Sequence, residues 1–260
     1  MKFVFLNMLS IVLLGTGNVA HHLFDALILN HDIHIKQVYG RNDKSLTYFS
    51  KRCKITSNPN TIEEADLYII AVSDDAVSEV SEILHDKKGI VTHTSGTITK
   101  EVIQNKRKGI FYPLQTFTKD KKVDFSSIPI CIEANNEKDL KTIVKLAKSI
   151  STKVYEVSSS QREKLHLAAV FVNNFTNHMY SIGNTICKKE GLSFDMLRPL
   201  VTETINKIQF LPPKKAQTGP AKRNDVQTMQ KHLTILENPI HKKIYQLISE
   251  SIKEENEEEL

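Results

Sequence analysis

Three small residues at a fixed spacing, Gly15-x-Gly17-x-x-Ala20, stand directly after the apolar run Leu9–Leu14 and before an apolar pattern of helical period. Gly15 allows a sharp turn out of a strand, Gly17 lets a diphosphate approach the backbone, and Ala20 permits close packing of helix on strand. A helix that begins here directs unpaired N–H groups toward an anion. The spacing therefore predicts a dinucleotide site, with an ordinary strand–helix turn as the alternative. The residues predicted to form it are Gly15, Thr16, Gly17, Asn18, Val19 and Ala20.

The predicted second strand, Ile33–Tyr39, is followed by Arg41 and Asn42. An NAD site usually carries Asp or Glu about 20 residues after the glycines, where the carboxylate binds the ribose 2′-hydroxyl. No acidic residue occurs at positions 36–42. The guanidinium of Arg41 suits a 2′-phosphate instead. We therefore predict that Arg41 and Asn42 bind NADP rather than NAD, with a solvated Arg in a turn as the alternative.

Polar residues follow two further predicted strands, Leu67–Val72 and Gly89–His93. Ligands of open α/β sheets bind beyond the carboxyl ends of the strands, so these residues are expected at the cofactor. The residues predicted to bind the cofactor here are Ser73, Asp74 and Ser95, together with Val72 at the end of the first of these strands. The hydroxyl of Ser95 is also a candidate to bond the reacting atom of a substrate, and capping of the next helix is the alternative role for Asp74.

A long helix is predicted from Gln161 to about Glu190. Residues seven apart in an α-helix differ by only about 20° around the axis, so His166 and Asn173 are expected to share a face. An imidazole titrates near neutral pH, which makes His166 the best candidate for a general acid. Asn173 or Asn174 would orient the substrate. Alternatively, this polar stripe bonds to neighbouring helices or to water.

The loop before the third predicted helix reads Thr218-Gly-Pro-Ala-Lys-Arg223-Asn-Asp225. Its Gly-Pro pair fixes an abrupt turn, and the Arg223 guanidinium is suited to bind a substrate carboxylate or a phosphate. The predicted substrate-binding residues are Thr218, Arg223 and Asp225. In the alternative interpretation, Asp225 interacts with the dipole of the following helix and Arg223 is solvated.

The elements that must position these residues change character along the chain. Strand patterns alternate with helical patterns up to Val157, which predicts an α/β Rossmann-like fold with a doubly wound, mainly parallel sheet. Helical patterns alone follow. We predict a dinucleotide-binding domain over residues 1–156 and an all-α substrate and dimerisation domain over 157–260. Residues 1–7 are predicted to be a short leader, with Met8 as a second candidate start.

Composition restricts the class of protein. The net charge of the 260 residues is +5, and the lysines are scattered rather than gathered in a stripe, which argues against a nucleic-acid partner. No apolar run approaches the roughly 20 residues of a membrane span. Three widely spaced cysteines favour reduced thiols and a cytoplasmic location. The dispersed histidines give no support for a metal site.

Several motifs together resemble an uncharacterised bacterial family that joins a Rossmann-like NADP-binding domain to a C-terminal helical domain of unknown function. The motifs are Gly15-Thr-Gly-Asn-Val-Ala20, Tyr39-Gly-Arg41, His93-Thr-Ser-Gly96, Pro113-Leu-Gln-Thr-Phe117, His166-Leu-Ala-Ala169 with Asn174-Phe175, and Thr218-Gly-Pro220 with Arg223 and Asp225. The family is more distantly similar to pyrroline-5-carboxylate reductase and to the 6-phosphogluconate and β-hydroxyacid dehydrogenases. The resemblance implies NADP as cofactor, a C-terminal domain like that of 6-phosphogluconate dehydrogenase, and a homodimer formed through it.

The chain departs from these relatives at three positions, one of which is Asn224, where Gly is frequent after the arginine. The hydroxyacid dehydrogenases carry a catalytic Lys one turn before an Asn of the long helix, and alignment of that Asn with Asn174 puts Val170 at the Lys position. Tyr112 stands where many relatives carry His. Reduction of a small carbonyl or imine by NADPH remains the favoured hypothesis, since pyrroline-5-carboxylate reductase also lacks the Lys. The alternatives are a non-catalytic NADP-binding sensor or scaffold and, on distant similarity alone, a deazaflavin-linked oxidoreductase.

Overall fold

The computed structural model describes residues 8–119 and 121–257. These residues form two compact units, of which the first ends at Val170 and the second begins at Phe171. The predicted leader, residues 1–7, lies outside the described residues. The predicted domain boundary at residue 156 marks the end of the strand pattern, whereas the compact sheet unit also includes the helix that follows its last strand.

One sheet runs through the described part of the first unit, with the strand order β3-β2-β1-β4-β5-β6-β7-β8. Neighbouring strands are parallel except β6 and β7, which are antiparallel. The predicted doubly wound, mainly parallel sheet is therefore confirmed. The strands are β1 (Leu9–Leu14), β2 (Ile33–Tyr39), β3 (Lys54–Thr56), β4 (Leu67–Ile70), β5 (Ile90–His93), β6 (Lys108–Pro113), β7 (Ile130–Ala134) and β8 (Val154–Glu156).

The central strands are apolar on both faces because each face has its own layer of helices. Alternate residues of a strand point to opposite faces. In β1, Ile11 and Leu13 therefore belong to one apolar cluster, while Val12 and Leu14 belong to another. The first unit contains the helices α1 (Asn18–Leu27), α2 (Asp43–Leu46), α3 (Val77–Glu82), α4 (Glu137–Lys148) and α5 (Ser159–Ala169), with 3₁₀ turns at Pro59–Thr61, Asp74–Ala76, Lys100–Val102 and Phe125–Ser127.

Capping side chains define where several helices begin. Asn136 accepts a hydrogen bond from the backbone N–H of Asp139 at the start of α4. Ser158 and Gln161 form a reciprocal capping box at the start of α5, which satisfies two otherwise unpaired backbone groups. The caps fix the first turn of α5 directly after β8, so the helix that carries His166 starts at a defined place on the sheet unit.

The predicted single α-helix from Gln161 to Glu190 is interrupted. Residues Val170–Phe175 form a π-helical turn between α5 and the next helix. A π turn uses hydrogen bonds five residues apart, so the 3.6-residue period that was used to place His166 and Asn173 on one face does not hold through this segment. The spacing of seven residues is therefore no support for a shared face, although each residue lies in a helical segment.

The second unit is helical throughout its described part. Its helices are α6 (Thr176–Lys189), α7 (Arg198–Phe210), α8 (Pro213–Ala216), α9 (Val226–Ile235) and α10 (Pro239–Glu257), with a 3₁₀ turn at Phe194–Leu197. The short helix α8 ends two residues before the Thr218–Asp225 loop. No buried residue occurs in α6 or α7. In the described residues of the whole chain, no helix is both long enough and apolar enough to cross a membrane.

Candidate active site

The glycine-rich turn after β1 presses against the backbone of the neighbouring strand. Gly15 has φ +127°, and a Cβ at this position would lie 2.1 Å from the carbonyl oxygen of Ala71. The N–H of Gly15 donates to the carbonyl of Tyr39 at 2.9 Å. A side chain is therefore excluded twice, by the positive φ and by the close approach of the loop after β4.

Gly17 immediately precedes α1 and faces open space. No heavy atom lies within 4 Å of the position that a Cβ would take there. The first backbone N–H groups of α1 have no helical partners, so this turn can receive the diphosphate of a dinucleotide. Ala20, three residues later, is fully buried and belongs to the cluster that includes Leu13 of β1. The turn thus has the shape and the donors that a dinucleotide requires.

A cavity of about 430 Å³ lies over this turn. Its lining includes most of the residues predicted to bind the cofactor: Gly15, Thr16, Gly17, Asn18, Val19, Arg41, Asn42, Val72 and Ser73. Sequence reasoning missed six lining residues: Tyr39, Gly40, Ser45, Ala71, Ala76 and Val80. Of these, Ser45 is a polar group beside the turn, since the Thr16 hydroxyl donates to its Oγ at 3.0 Å.

Arg41 follows β2 and lies on the rim of this cavity. Its side chain is exposed, and it makes no hydrogen bond or ion pair with the residues that the structure describes. Its neighbour Asn42 caps α2 by accepting a hydrogen bond from the N–H of Lys44 at 2.9 Å. Arg41 therefore offers an unpaired guanidinium at the place where the 2′-phosphate of NADP is expected.

Ser95 and Asp74 organise the loops after β5 and β4. The Oγ of Ser95 accepts hydrogen bonds from the N–H groups of Thr97 and Ile98, at 3.1 and 3.0 Å. The Thr97 hydroxyl donates to Oδ2 of Asp74 at 2.6 Å. Both predicted site residues thus hold a turn at the carboxyl end of the sheet, and neither lines the cofactor cavity.

His93, the last residue of β5, bonds to the same loop through both of its ring nitrogens. Its Nδ1 accepts the N–H of Ser95 at 3.2 Å, so its Nε2 carries the hydrogen and donates to the carbonyl of Thr99 at 3.3 Å. Burial lowers the pKa of His93 to about 4, because the charged form cannot be solvated there. His93 is therefore neutral at physiological pH and has a structural role.

A fully buried arginine attaches α5 to this loop. Arg162 donates from Nε to the carbonyl of Ser95 at 3.2 Å and from a second nitrogen to the carbonyl of Ile98. It also pairs with Glu133 of β7 at 3.2 Å. Burial raises the pKa of Glu133, but hydrogen bonds from Lys100 and Ser159, together with the charges of Lys100 and Arg162, hold that pKa below its ordinary value. Arg162 therefore fixes the position of α5 relative to the sheet.

His166 lies one turn after Arg162, and its ring packs on Gly96. A Cβ on Gly96 would lie 2.5 Å from Nδ1 of His166 and 3.0 Å from Cζ of Tyr112. The Tyr112 hydroxyl and Nδ1 of His166 are 3.1 Å apart. The candidate general acid is thus held at the carboxyl edge of the sheet, beside the loop that Ser95 organises. Tyr112 was not among the predicted site residues.

The remaining predicted residues belong to the second unit. Asn173 and Asn174 lie in the π turn and are exposed, and Thr218 and Arg223 are exposed in the loop before α9. The Asp225 carboxylate caps α9, because it accepts hydrogen bonds from the N–H and the hydroxyl of Thr228 at 3.1 and 2.7 Å. Asp225 is therefore the N-cap of α9, and its carboxylate lies at the positive end of the helix dipole.

Comparison with known proteins identifies the family. Residues 10–96 match the family described as NADP oxidoreductase, coenzyme F420-dependent, and residues 128–252 match a domain of unknown function, DUF2520. A solved structure of a candidate NADP oxidoreductase from Bacteroides fragilis is 39% identical, covers 96% of this chain and 99% of that chain, and has a TM-score of 0.88. The chain belongs to this family of NADP oxidoreductases. The predicted family resemblance and NADP as cofactor are confirmed.

More distant structures share the fold of this oxidoreductase. A protein from Thermotoga maritima is 21% identical, with a TM-score of 0.74 and coverage of 96% of this chain and 99% of that chain. A reductive aminase from Aspergillus terreus, solved with NADPH and ethyl levulinate, is 12% identical, with a TM-score of 0.70 and coverage of 95% and 94%. These likenesses confirm the Rossmann-like sheet followed by a helical domain. No curated protein matches the chain.

Proposed function

We propose that this oxidoreductase reduces a small carbonyl or imine substrate with NADPH and that His166 donates the proton. The observation that carries the proposal is the placement of the His166 imidazole on Gly96, at the carboxyl edge of the sheet that also forms the cofactor cavity. Bound NADPH supplies the hydride, which is the cofactor's own chemistry. The protein supplies position and a proton.

The proton step follows from the free nitrogen of His166. Nδ1 is occupied by Tyr112, whereas Nε2 makes no hydrogen bond with the described residues. When the substrate carbon accepts the hydride, the electron pair of the double bond passes to the oxygen or nitrogen. That atom then takes the Nε2 proton of protonated His166, which leaves an alcohol or an amine and a neutral imidazole. Solvent returns the proton to His166.

Cofactor binding is assigned to the glycine turn and to Arg41. The open space at Gly17 accommodates the diphosphate, and the unpaired guanidinium of Arg41 is suited to the 2′-phosphate. A charge-assisted hydrogen bond contributes about 1.5–3 kcal/mol, so Arg41→Ala is expected to raise the Kd for NADPH roughly 10- to 100-fold. The Kd for NADH serves as the control and is expected to stay unchanged.

We assign the substrate end to residues of the second unit. Asn173 or Asn174 would orient the substrate, and Thr218 and Arg223 would bind an acidic group on it. The exposed Arg223 guanidinium, which has no ion pair among the described residues, supports this assignment. Asp225 would act through the start of α9, which its carboxylate already caps.

We also propose that the second unit forms a homodimer. Large apolar side chains such as Val172, Met196 and Phe210 are 74%, 70% and 86% exposed in the single chain. Exposed apolar patches commonly mark interfaces between subunits, and the exposure of these large side chains supports the proposal. The three cysteines are free, which fits the proposed cytoplasmic location.

The reaction is tested by following NADPH absorbance with a series of oxo acids and cyclic imines. A general acid contributes typically 10²–10⁴-fold to the rate, so His166→Ala is expected to lower kcat at least about 100-fold while the Kd for NADPH is unchanged. His178→Ala, an exposed histidine of α6, is the matched control. Equal turnover of wild type and His166→Ala would remove His166 from the mechanism.

A non-catalytic NADP sensor is the second candidate function. It is favoured by Val170, which stands where the hydroxyacid dehydrogenases carry their catalytic Lys and which has no proton to exchange. A sensor would bind NADPH with Arg41-dependent affinity and oxidise it with none of the substrates tested. Turnover with any oxo acid or imine decides for the enzyme.

A further inference from the structure

The Tyr112 hydroxyl is a buried group to which the proposed reaction assigns no role. Tyr112 lies near the end of β6 and is 9% exposed. Its ring packs in an apolar cluster with Ile110, Cys131 and Leu165. Among the residues that the structure describes, its hydroxyl has one hydrogen-bond partner, Nδ1 of His166 at 3.1 Å. The two residues are 54 positions apart in the sequence, so the tertiary fold alone brings them together.

The direction of this hydrogen bond follows from counting donors and acceptors. A phenol has one hydrogen to donate, and a buried donor without an acceptor costs about 1–3 kcal/mol. The acceptor that the described residues offer to the Tyr112 hydroxyl is Nδ1 of His166. Burial raises the pKa of Tyr112 to about 12, so its hydrogen is present throughout the physiological range. A neutral imidazole that accepts at Nδ1 carries its own hydrogen on Nε2.

A hydroxyl is also a suitable partner when His166 is protonated. Both ring nitrogens then carry hydrogen, and the Tyr112 oxygen can accept from Nδ1 after its O–H rotates. Nε2 therefore keeps a hydrogen in the neutral and in the charged state. A backbone carbonyl or a carboxylate in place of Tyr112 would instead favour hydrogen on Nδ1 in the neutral state, and Nε2 would then be an acceptor.

The packing leaves the imidazole little freedom to turn. The absence of a side chain at Gly96 creates the space in which the His166 and Tyr112 rings sit, and their ring centroids are 6.2 Å apart in an edge-to-face arrangement. Arg162 fixes the helix one turn earlier through its bonds to the Ser95–Ile98 loop. The ring of His166 is therefore held by the fixed position of α5, by the packing of the ring on Gly96 and by the hydrogen bond at Nδ1.

We propose that Tyr112 is a positioning residue that holds His166 with Nε2 as its only free nitrogen and with hydrogen on that nitrogen. It follows that the reacting heteroatom of the substrate meets a donor, so it must bring a lone pair, as a carbonyl oxygen or a neutral imine nitrogen does. This inference rests on the proposed role of His166 in the reaction, but its first test does not depend on turnover.

The first test is the tautomer of His166 in the full chain. Protein labelled with ¹⁵N-histidine is studied by long-range ¹H–¹⁵N correlation at a pH where the imidazoles are neutral, and the His166 signals are assigned by their loss in His166→Gln. We expect Nδ1 to resonate as an unprotonated nitrogen and Nε2 as a protonated one. Hydrogen on Nδ1 in the wild-type protein would overturn the proposal, and this measurement requires no variant of Tyr112.

The second test removes the hydroxyl alone. Tyr112→Phe is expected to shift both His166 nitrogens toward averaged values, because the ring then exchanges between tautomers. Tyr155→Phe, which removes a half-exposed phenol from β8, is the matched control and should leave the His166 signals unchanged. A Tyr112→Phe spectrum in which His166 keeps the wild-type pattern would contradict the proposal.

The third test is kinetic. With any substrate that is turned over, Tyr112→Phe is expected to lower kcat/KM about tenfold, the value of one hydrogen bond, without a change in the Kd for NADPH. The loss should vanish in a His166→Ala background, since a residue that acts through another shows such non-additivity. An equal loss in both backgrounds would give Tyr112 a role apart from His166. Absence of turnover in every variant would count against the proposed reaction, while the tautomer measurement still decides on Tyr112.

Discussion

Leu13 in β1 of the sheet unit is 1% exposed, whereas Leu200 in α7 of the helical unit is 64% exposed. The two leucines illustrate how differently the two units bury their apolar side chains. The sheet unit places its apolar side chains in clusters on both faces of the sheet. In the described part of the helical unit, Ala221 and Met229 are the hydrophobic residues that are buried, both 7% exposed. The sheet unit thus completes its core within one chain, while the helical unit leaves large apolar surfaces uncovered.

This contrast assigns different tasks to the two units. A unit with a closed core can hold a cavity and a side chain in fixed geometry, as it does at Gly15 and at His166, the proposed general acid. A unit with exposed apolar helices requires another surface to cover them, for which we propose a second copy of the chain. Three predictions test the contrast, in order of decreasing expected effect on free energy.

Truncation of a buried leucine gives the largest expected effect. Leu13→Ala should lower the free energy of unfolding by on the order of 4 kcal/mol, because it removes a fully buried side chain and leaves a cavity in the sheet. The loss should be the same at low and at high protein concentration. Denaturant unfolding at two protein concentrations measures it, and Leu29→Ala, at an 80% exposed position of the same unit, is the matched control.

A charge on the helical unit tests the homodimer. Leu200→Glu should weaken dimerisation at least about 100-fold, or roughly 3 kcal/mol, since it removes apolar contact area and introduces an unpaired carboxylate. Light scattering across a dilution series gives the dissociation constant. Leu29→Glu places the same charge on an exposed leucine of the sheet unit and should leave the assembly unchanged. A wild-type chain that is monomeric at all concentrations would contradict the proposed dimer.

Acid should destabilise the sheet unit through His93. Its pKa of about 4 in the folded chain lies below the ordinary value of 6.5, so the unfolded chain binds a proton in this window that the folded chain does not. The free energy of unfolding should therefore fall by about 2 kcal/mol between pH 7 and pH 5 from this residue alone. His93→Asn keeps an acceptor near the N–H of Ser95 and should reduce that fall. An equal pH dependence in both proteins would exclude His93 as the cause.

Sequence patterns were sufficient for the sheet and insufficient for the site. The strand β2 occupies the predicted residues Ile33–Tyr39, because apolar residues that alternate with polar ones at its start are typical of a strand. The main residues of the cofactor cavity could be predicted in the same way, since its glycines and Arg41 lie in turns that directly follow strands. Strands, and the binding turns that directly follow them, can therefore be predicted from the spacing of residues that are close in the sequence.

Contacts over long sequence separations could not be predicted in this way. Nothing in the sequence near Tyr112 indicates His166, because β6 and α5 meet only in the folded sheet unit. The hydrogen bonds of the Ser95 hydroxyl within its own turn could not be predicted either. A serine that follows a strand can bond to a ligand or to a nearby backbone N–H, and the sequence does not distinguish the two. The π turn escaped prediction because the period of 3.6 residues was assumed throughout the helix.

The π turn at Val170–Phe175 also determines which residue lies one turn before Asn174. In an α-helix the residue one turn before Asn174 is Val170, whereas the five-residue hydrogen-bond spacing of a π turn makes it Ala169. The position one turn before Asn174 therefore moves by one residue relative to a regular α-helix. Neither Val170 nor Ala169 carries an ionisable group, so the conclusion that no lysine occupies this place holds in both registers.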